Sequence, residues 1–97
     1  MRVFLDDLRP TPVGWDRTYT VEETIELLKT RTVSHLSLDN DLGIGLKEGY
    51  IVMDWLEEMS YFDNTFPIPE INIHSSNAAR KQYMQLVNMR IRERLSQ

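Results

Sequence analysis

Four aspartates stand in two close pairs, Asp6-Asp7 and Asp39-Asn40-Asp41. Carboxylates at such spacing can ligate a hard divalent cation or move protons. A third polar cluster, His74-Ser75-Ser76-Asn77, lies downstream, and Arg9 and Arg80 flank the first and the last cluster. Crowded carboxylates repel one another, and such a group persists when it takes up protons, meets Arg or Lys, or holds a cation. The chain has no cysteine, so oxygen donors favour Mg²⁺, Mn²⁺ or Ca²⁺ over Zn²⁺. Mg²⁺ binds through one or two carboxylates and keeps waters and a phosphate oxygen. Arg9 and Arg80 are candidate cationic partners for that phosphate. Each cluster also has a plainer reading: Asp pairs form turns, Asn77 suits a helix cap, and His74 suits a partly buried histidine. What separates the readings is whether the three clusters meet.

The elements decide that. Val3-Phe4-Leu5 predicts a strand over 2–6, buried on both faces. Pro10, Pro12 and Gly14 make residues 8–15 a loop, and Arg17-Thr18-Tyr19 suits a short edge strand. Thr20 and Glu23 form a capping-box signature before a helix over 21–30, with Val21, Ile25 and Leu28 on its apolar stripe. A strand follows over 35–39, then a loop marked by Gly43 and Gly45. From about Gly49, Ile51, Val52, Trp55, Leu56, Met59 and Phe62 recur at helical spacing, and Met and Trp there read as core. Pro67 and Pro69 end that segment. A strand over 70–74 turns Ile71 and Ile73 inward, and a last helix covers 77–95. Strand and helix in alternation predict a parallel sheet with helical crossovers. Its secure strands end in the three polar clusters, and open parallel sheets bind ligands beyond their carboxyl ends. Asp54, Glu57 and Glu58 fall on the outer face of the second helix and read as solvated. Trp15 either covers the core edge or forms part of a lid.

The chain of 97 residues suits one domain, 1–97, with one core. Its hydrophobic fraction of 41% and charged fraction of 27% are those of a globular protein. No stretch is apolar for long enough to cross a bilayer. No secretory leader is seen, and the lack of cysteine suits the cytoplasm. The net charge of −4 is uneven: residues 1–79 hold six basic and fourteen acidic side chains, and residues 80–97 hold five basic and only Glu93 as an acid. An acidic body excludes a broad nucleic-acid surface, and the basic tail reads as a solvated helix face.

The positions of Asp6-Asp7, Asp39 and Ser75 resemble response-regulator receiver domains. That resemblance implies that the acidic pair and the central Asp hold Mg²⁺, that Asp39 accepts a phosphoryl group, and that Ser75 contacts it. The receiver lysine after a fifth strand has no counterpart, and residues 8–15 replace the first helix with a loop. A compact offshoot matches more closely: the cyclic-phosphate-processing receiver-like domains. The chain is similar to them in residues 4–12 (Phe4 to Pro12), Gly14-Trp15, the helix from Val21 to Leu28, residues 36–43, Gly49-Tyr50 and residues 73–77. The resemblance covers about residues 2–91 and implies action on cyclic phosphates, such as RNA ends or cyclic nucleotides. The family's central motif commonly reads Asp-His-Asp, and here its middle residue is Asn40, which cannot exchange a proton as histidine does.

The expectation is therefore an α/β, receiver-like (flavodoxin-like) three-layer sandwich with sheet order 2-1-3-4. Its function is read as that of a metal-dependent phosphoesterase on a cyclic phosphate, with Mg²⁺ or Mn²⁺ held by Asp6, Asp7 and Asp39. Asp39, Asp41 and His74 carry the chemistry, and Arg9, Asn40, Ser75, Asn77 and Arg80 contact the cyclic phosphate or nucleotide. The alternatives are a nucleotide-binding module without turnover, which Asn40 favours, and a phosphoacceptor switch at Asp39, which the missing lysine disfavours.

Overall fold

The computed structural model describes residues 1–97. Its elements are β1 (Arg2–Leu5), β2 (Asp16–Thr18), α1 (Val21–Leu28), β3 (His35–Leu38), α2 (Tyr50–Phe62), β4 (Glu70–Ile73) and α3 (Ala78–Leu95). The four strands are parallel in the order β2-β1-β3-β4. The fold is thus the small α/β receiver-like architecture expected. Boundaries differ slightly. The edge strand is 16–18 rather than 17–19, and β1, β3 and β4 each stop one residue short, just before Asp6, Asp39 and His74.

Local chemistry accounts for the helix ends. Thr20 Oγ1 accepts from Glu23 N at 3.1 Å, and Glu23 Oε1 accepts from Tyr19 N at 3.1 Å. Asn77 Oδ1 accepts from Arg80 N at 3.1 Å and so caps α3. α2 opens on Gly49, which has no side chain to cap with.

The expected three-layer sandwich is realised as two layers, with all three helices on one face of the sheet, because the β1-to-β2 connection holds no helix. The β2-to-β3 and β3-to-β4 crossovers step the same way across the sheet, so the right-handed rule places α1 and α2 on one face. α3 packs on α2 and β4 on that same face. Val3, Leu5, Leu36, Leu38 and Ile73 meet Val21, Leu28, Val52, Leu56, Met84 and Ile91 there in one buried cluster. The β1-to-β2 connection steps the other way, and a loop stands where a helix would cover the opposite face. Phe4 points to that face, beside Trp15, Ser37, Asn72 and His74. Trp15 covers it, edge-on to Phe4 at 6.5 Å between ring centroids.

The charged helix faces are more engaged than their sequence suggests. Glu57 takes a two-pronged contact from Arg90 (2.8 and 2.9 Å), and Asp54 accepts from the Tyr83 hydroxyl at 2.6 Å. Arg92 donates to the Pro69 carbonyl, and Arg94 reaches Ser60. The basic residues of α3 thus serve to clamp it onto α2 and the β4 lead-in, and Glu58 is left as the solvated acid. No helix is long and apolar enough to cross a membrane.

Candidate functional site

The site follows from strand register. Leu5 pairs with Leu38, and Leu38 with Ile73. The next residue of each strand continues the row: Asp39 N donates to Leu5 O at 3.0 Å, and His74 N to Leu38 O at 2.9 Å. Side chains alternate along a strand. Since Leu5, Leu38 and Ile73 face the helices, Asp6, Asp39 and His74 turn together to the other side of the rim. One ligand atom from each lies within 4.8 Å of the others.

Asp6 is 1% exposed. Its Oδ1 accepts from Leu8 N at 2.8 Å and Arg9 N at 2.9 Å, and its Oδ2 lies 2.9 Å from His74 Nε2 and 3.6 Å from Arg9 Nη1. Burial pushes its pKa up, but the N–H groups of Arg9 and Leu8, with His74, outweigh that and hold it below the ordinary carboxylate value. Asp39 is the opposite case. Burial, against one hydrogen bond from Asn40 N and with the Asp6 charge adding to it, pushes its carboxyl up. Burial likewise pushes the His74 imidazole down, against the pull of Asp6. Two adjacent carboxylates, one of them held charged and the other strained by its charge, fit a site completed by a cation.

Asp6 and Asp39 floor an open cleft of about 670 Å³, while His74, expected to carry chemistry there, is turned away from it toward Phe4, Trp15, Ser37 and Asn72. Asp7, Asp41, Glu48, Arg9 and Ser76 add polar wall, and Leu8, Leu42, Ile44 and Leu46 add apolar wall. Five acids face one base, and Arg9 is already committed to the His74 carbonyl and to Asp6. The donors fit a hard divalent cation on Asp6 and Asp39, with Asp7 on the cleft wall outside the tight group.

Several residues expected on the ligand have other partners. Asn40 is 0% exposed and is absent from the cleft wall. Its Oδ1 accepts from Tyr50 N at 3.0 Å, and its Nδ2 donates to Glu48 Oε1 at 2.8 Å and Asp41 Oδ1 at 3.1 Å. It is therefore the missing N-terminal cap of α2, supplied from ten residues upstream, and not a ligand contact. Gly49 belongs to the same junction, since a Cβ there would sit 1.8 Å from Asp39 O. Ser75 is buried and its Oγ accepts from Asn77 N at 3.0 Å. Past His74 the chain turns Ser75 inward, and Ser76 lines the cleft instead. Asn77 caps α3, with its amide 3.5 Å from Asp41 Oδ1. Arg80 stacks over Tyr50 at 4.2 Å and lies 3.7 Å from Glu48, behind the wall. Arg9 is the one expected phosphate contact on the cleft itself. His35, at the far end of β3, pairs with Glu70 at 3.2 Å.

Ser76 stands in the third polar cluster but was not among the residues expected on the ligand, and Glu48, Leu8, Ile44 and Leu46 carried no sequence signal of their own. Ser37 and Asn72 did have one: each is a polar residue set between two apolar ones, Leu36 and Leu38 or Ile71 and Ile73.

Neither the curated proteins nor the solved structures include a match to this chain. The model of one family, described as the cyclic-phosphate processing receiver domain, matches residues 1–90, and with the parallel receiver-type sheet and the acidic rim it carries, the chain belongs to that family.

Proposed function

We propose that the cleft holds a divalent cation and, through it, the cyclic phosphate of a nucleotide or RNA end, and that the domain opens that ring by hydrolysis. The observation that carries this reading is the row Asp6, Asp39 and His74, with ligand atoms within 4.8 Å, in a chain of a family named for cyclic-phosphate processing. Asp6 and Asp39 hold the cation, with Asp7 reaching in from the wall. Bound Mg²⁺ or Mn²⁺ supplies positive charge for the phosphate oxygens and acidifies water. The free cleft is too acidic to attract a phosphate, so ligand affinity depends on the cation. Arg9 braces the floor by tying Asp6 to the backbone at His74. Asp41, exposed on the wall, is placed to accept a proton from water. Leu8, Ile44 and Leu46 are exposed and line the same cleft, which suits the uncharged part of an amphipathic ligand. Water adds across one P–O ester bond, one of its protons ends on the departing alkoxide, and the product is a phosphomonoester or a linear diester.

Incubation with 2′,3′-cyclic nucleotides and cyclic dinucleotides, with Mg²⁺ or Mn²⁺, tests the reading. Linear products that vanish with EDTA are expected, and no turnover of any of them overturns it.

A second reading has its own support. Both nitrogens of His74 are engaged, with Ser37 and with Asp6, so no free histidine faces the cleft. A binding module that holds the nucleotide uncleaved follows from that. Calorimetry that gives metal-dependent affinity without product favours it, and absence of affinity rejects it.

A further inference from the structure

Behind the acidic row runs a chain of four side chains. Asn72 Nδ2 lies 3.1 Å from Ser37 Oγ, Ser37 Oγ lies 2.7 Å from His74 Nδ1, and His74 Nε2 lies 2.9 Å from Asp6 Oδ2. The ring of His74 also lies flat on Phe4, with centroids 4.6 Å apart and planes 4° from parallel. The imidazole is thus held on one face and at both nitrogens.

The direction of each hydrogen bond can be worked out from one end. An ionised carboxylate only accepts. Asp6 already takes two backbone N–H groups on Oδ1, so the proton between it and the ring sits on Nε2. In the neutral ring Nδ1 is then bare and accepts, so the Ser37 hydroxyl donates to it. That leaves the Ser37 lone pairs for the Asn72 amide N–H. Every donor meets an acceptor in this order. With the ring reversed, a bare Nε2 would face the carboxylate of Asp6 at 2.9 Å.

We infer that Ser37 and Asn72 are positioning residues that hold His74 in its Nε2–H tautomer, so that His74 serves Asp6 from outside the metal's own ligand set. This rests on the metal-dependent reading above. A histidine bound to a metal must offer a bare nitrogen, and the nitrogen aimed at the row carries the proton. Asp6 has about four acceptor positions as a carboxylate. Leu8 N, Arg9 N and His74 Nε2 use three, and Arg9 Nη1, 3.6 Å from Oδ2, is too far to hydrogen-bond, which leaves one for a cation. The arrangement is that of an outer partner which orients a ligating carboxylate.

The chain has two histidines, so His35→Gln leaves His74 as the single imidazole for ¹⁵N NMR. In the metal-free His35→Gln protein, the expected spectrum is a protonated Nε2 and a bare Nδ1. A protonated Nδ1 with bare Nε2 overturns the assignment. Titration with Mg²⁺ is expected to move backbone signals of Asp6 and Asp39 while His74 keeps its Nε2 proton. Loss of that proton, with the shift of a coordinated nitrogen, overturns the placement outside the ligand set. Backbone signals that Mg²⁺ leaves unmoved count against the metal reading and leave the metal-free tautomer as measured. Asn72 is exposed, so Asn72→Asp can be made without disturbing the core. Its carboxylate accepts the Ser37 hydroxyl and frees Ser37 to accept from Nδ1, so a proton is expected to appear on Nδ1. A ring that remains protonated on Nε2 alone in Asn72→Asp removes the role given to Ser37 and Asn72.

Discussion

Single residues carry two opposed roles at this rim. Asp39 is buried beside the charged Asp6, and burial pushes its pKa up, so its charge costs the folded state. Asp39→Asn is therefore expected to raise the melting temperature in EDTA while removing the rise that Mn²⁺ produces in the parent. Thermal unfolding of both proteins, with and without metal, checks this, and a lower melting point in EDTA contradicts the account. Asn40 works the other way, as a purely structural group in a functional-looking motif. Asn40→Ala removes the cap on Tyr50 N and leaves Glu48 and Asp41 without their amide partner. A loss of about 1–2 kcal/mol is expected from the missing helix cap, read as a lower urea midpoint.

At the scale of elements, the connections hold the sheet to its helices. Arg31, with a positive φ of 63° after α1, reaches Asp63 after α2 at 2.6 Å. The Thr65 hydroxyl and N–H also donate to Asp63, and together with Arg31 they hold its pKa at about 2 against an ordinary 3.8. A carboxylate depressed by folding adds stability above its unfolded pKa, and that stability fades as the pH falls from about 4 to about 2. Acid unfolding of Asp63→Asn is thus expected to be flatter than that of the parent across this window. Parallel curves would show that the loop contacts do not couple to folding.

For the whole molecule, the proposed cation site would link binding to folding. The row Asp6, Asp39 and His74 comes from three strands that meet only in the folded sheet, so the unfolded chain has no equivalent site. A ligand present at about 100 times its Kd then adds about 2.7 kcal/mol. For a domain of this size, that is a rise in melting temperature of about 10 °C or more. Differential scanning fluorimetry with Mn²⁺ and then EDTA measures it, and no reversible shift would sink the metal assignment. The sheet face without helices, covered by Trp15, follows from the connections. All the helical crossovers step one way across the sheet, and the only one that steps back is a loop.

Much of this was legible from residue types alone. Periodicity, the capping box at Thr20 and the prolines located every element to within a residue or two, because those signals act over a few neighbouring positions. The parallel sheet and the polar rim followed from the alternation of strand and helix. What the linear chain could not say is which polar groups of the rim face the cleft. Asn40 and Ser75 turn inward, and Arg80 lies behind the wall, while Ser76 and Glu48 line it. Those outcomes hang on partners distant in sequence: Asn40 on the start of α2, and His74 on Ser37 and Asp6. The sequence by itself determined the fold and the gathering of acids at one rim, since both follow from local pattern and strand direction. Only the tertiary structure decided which of those acids stand together and which neighbours are taken up by hydrogen bonds, because that depends on register and on contacts made across the sheet.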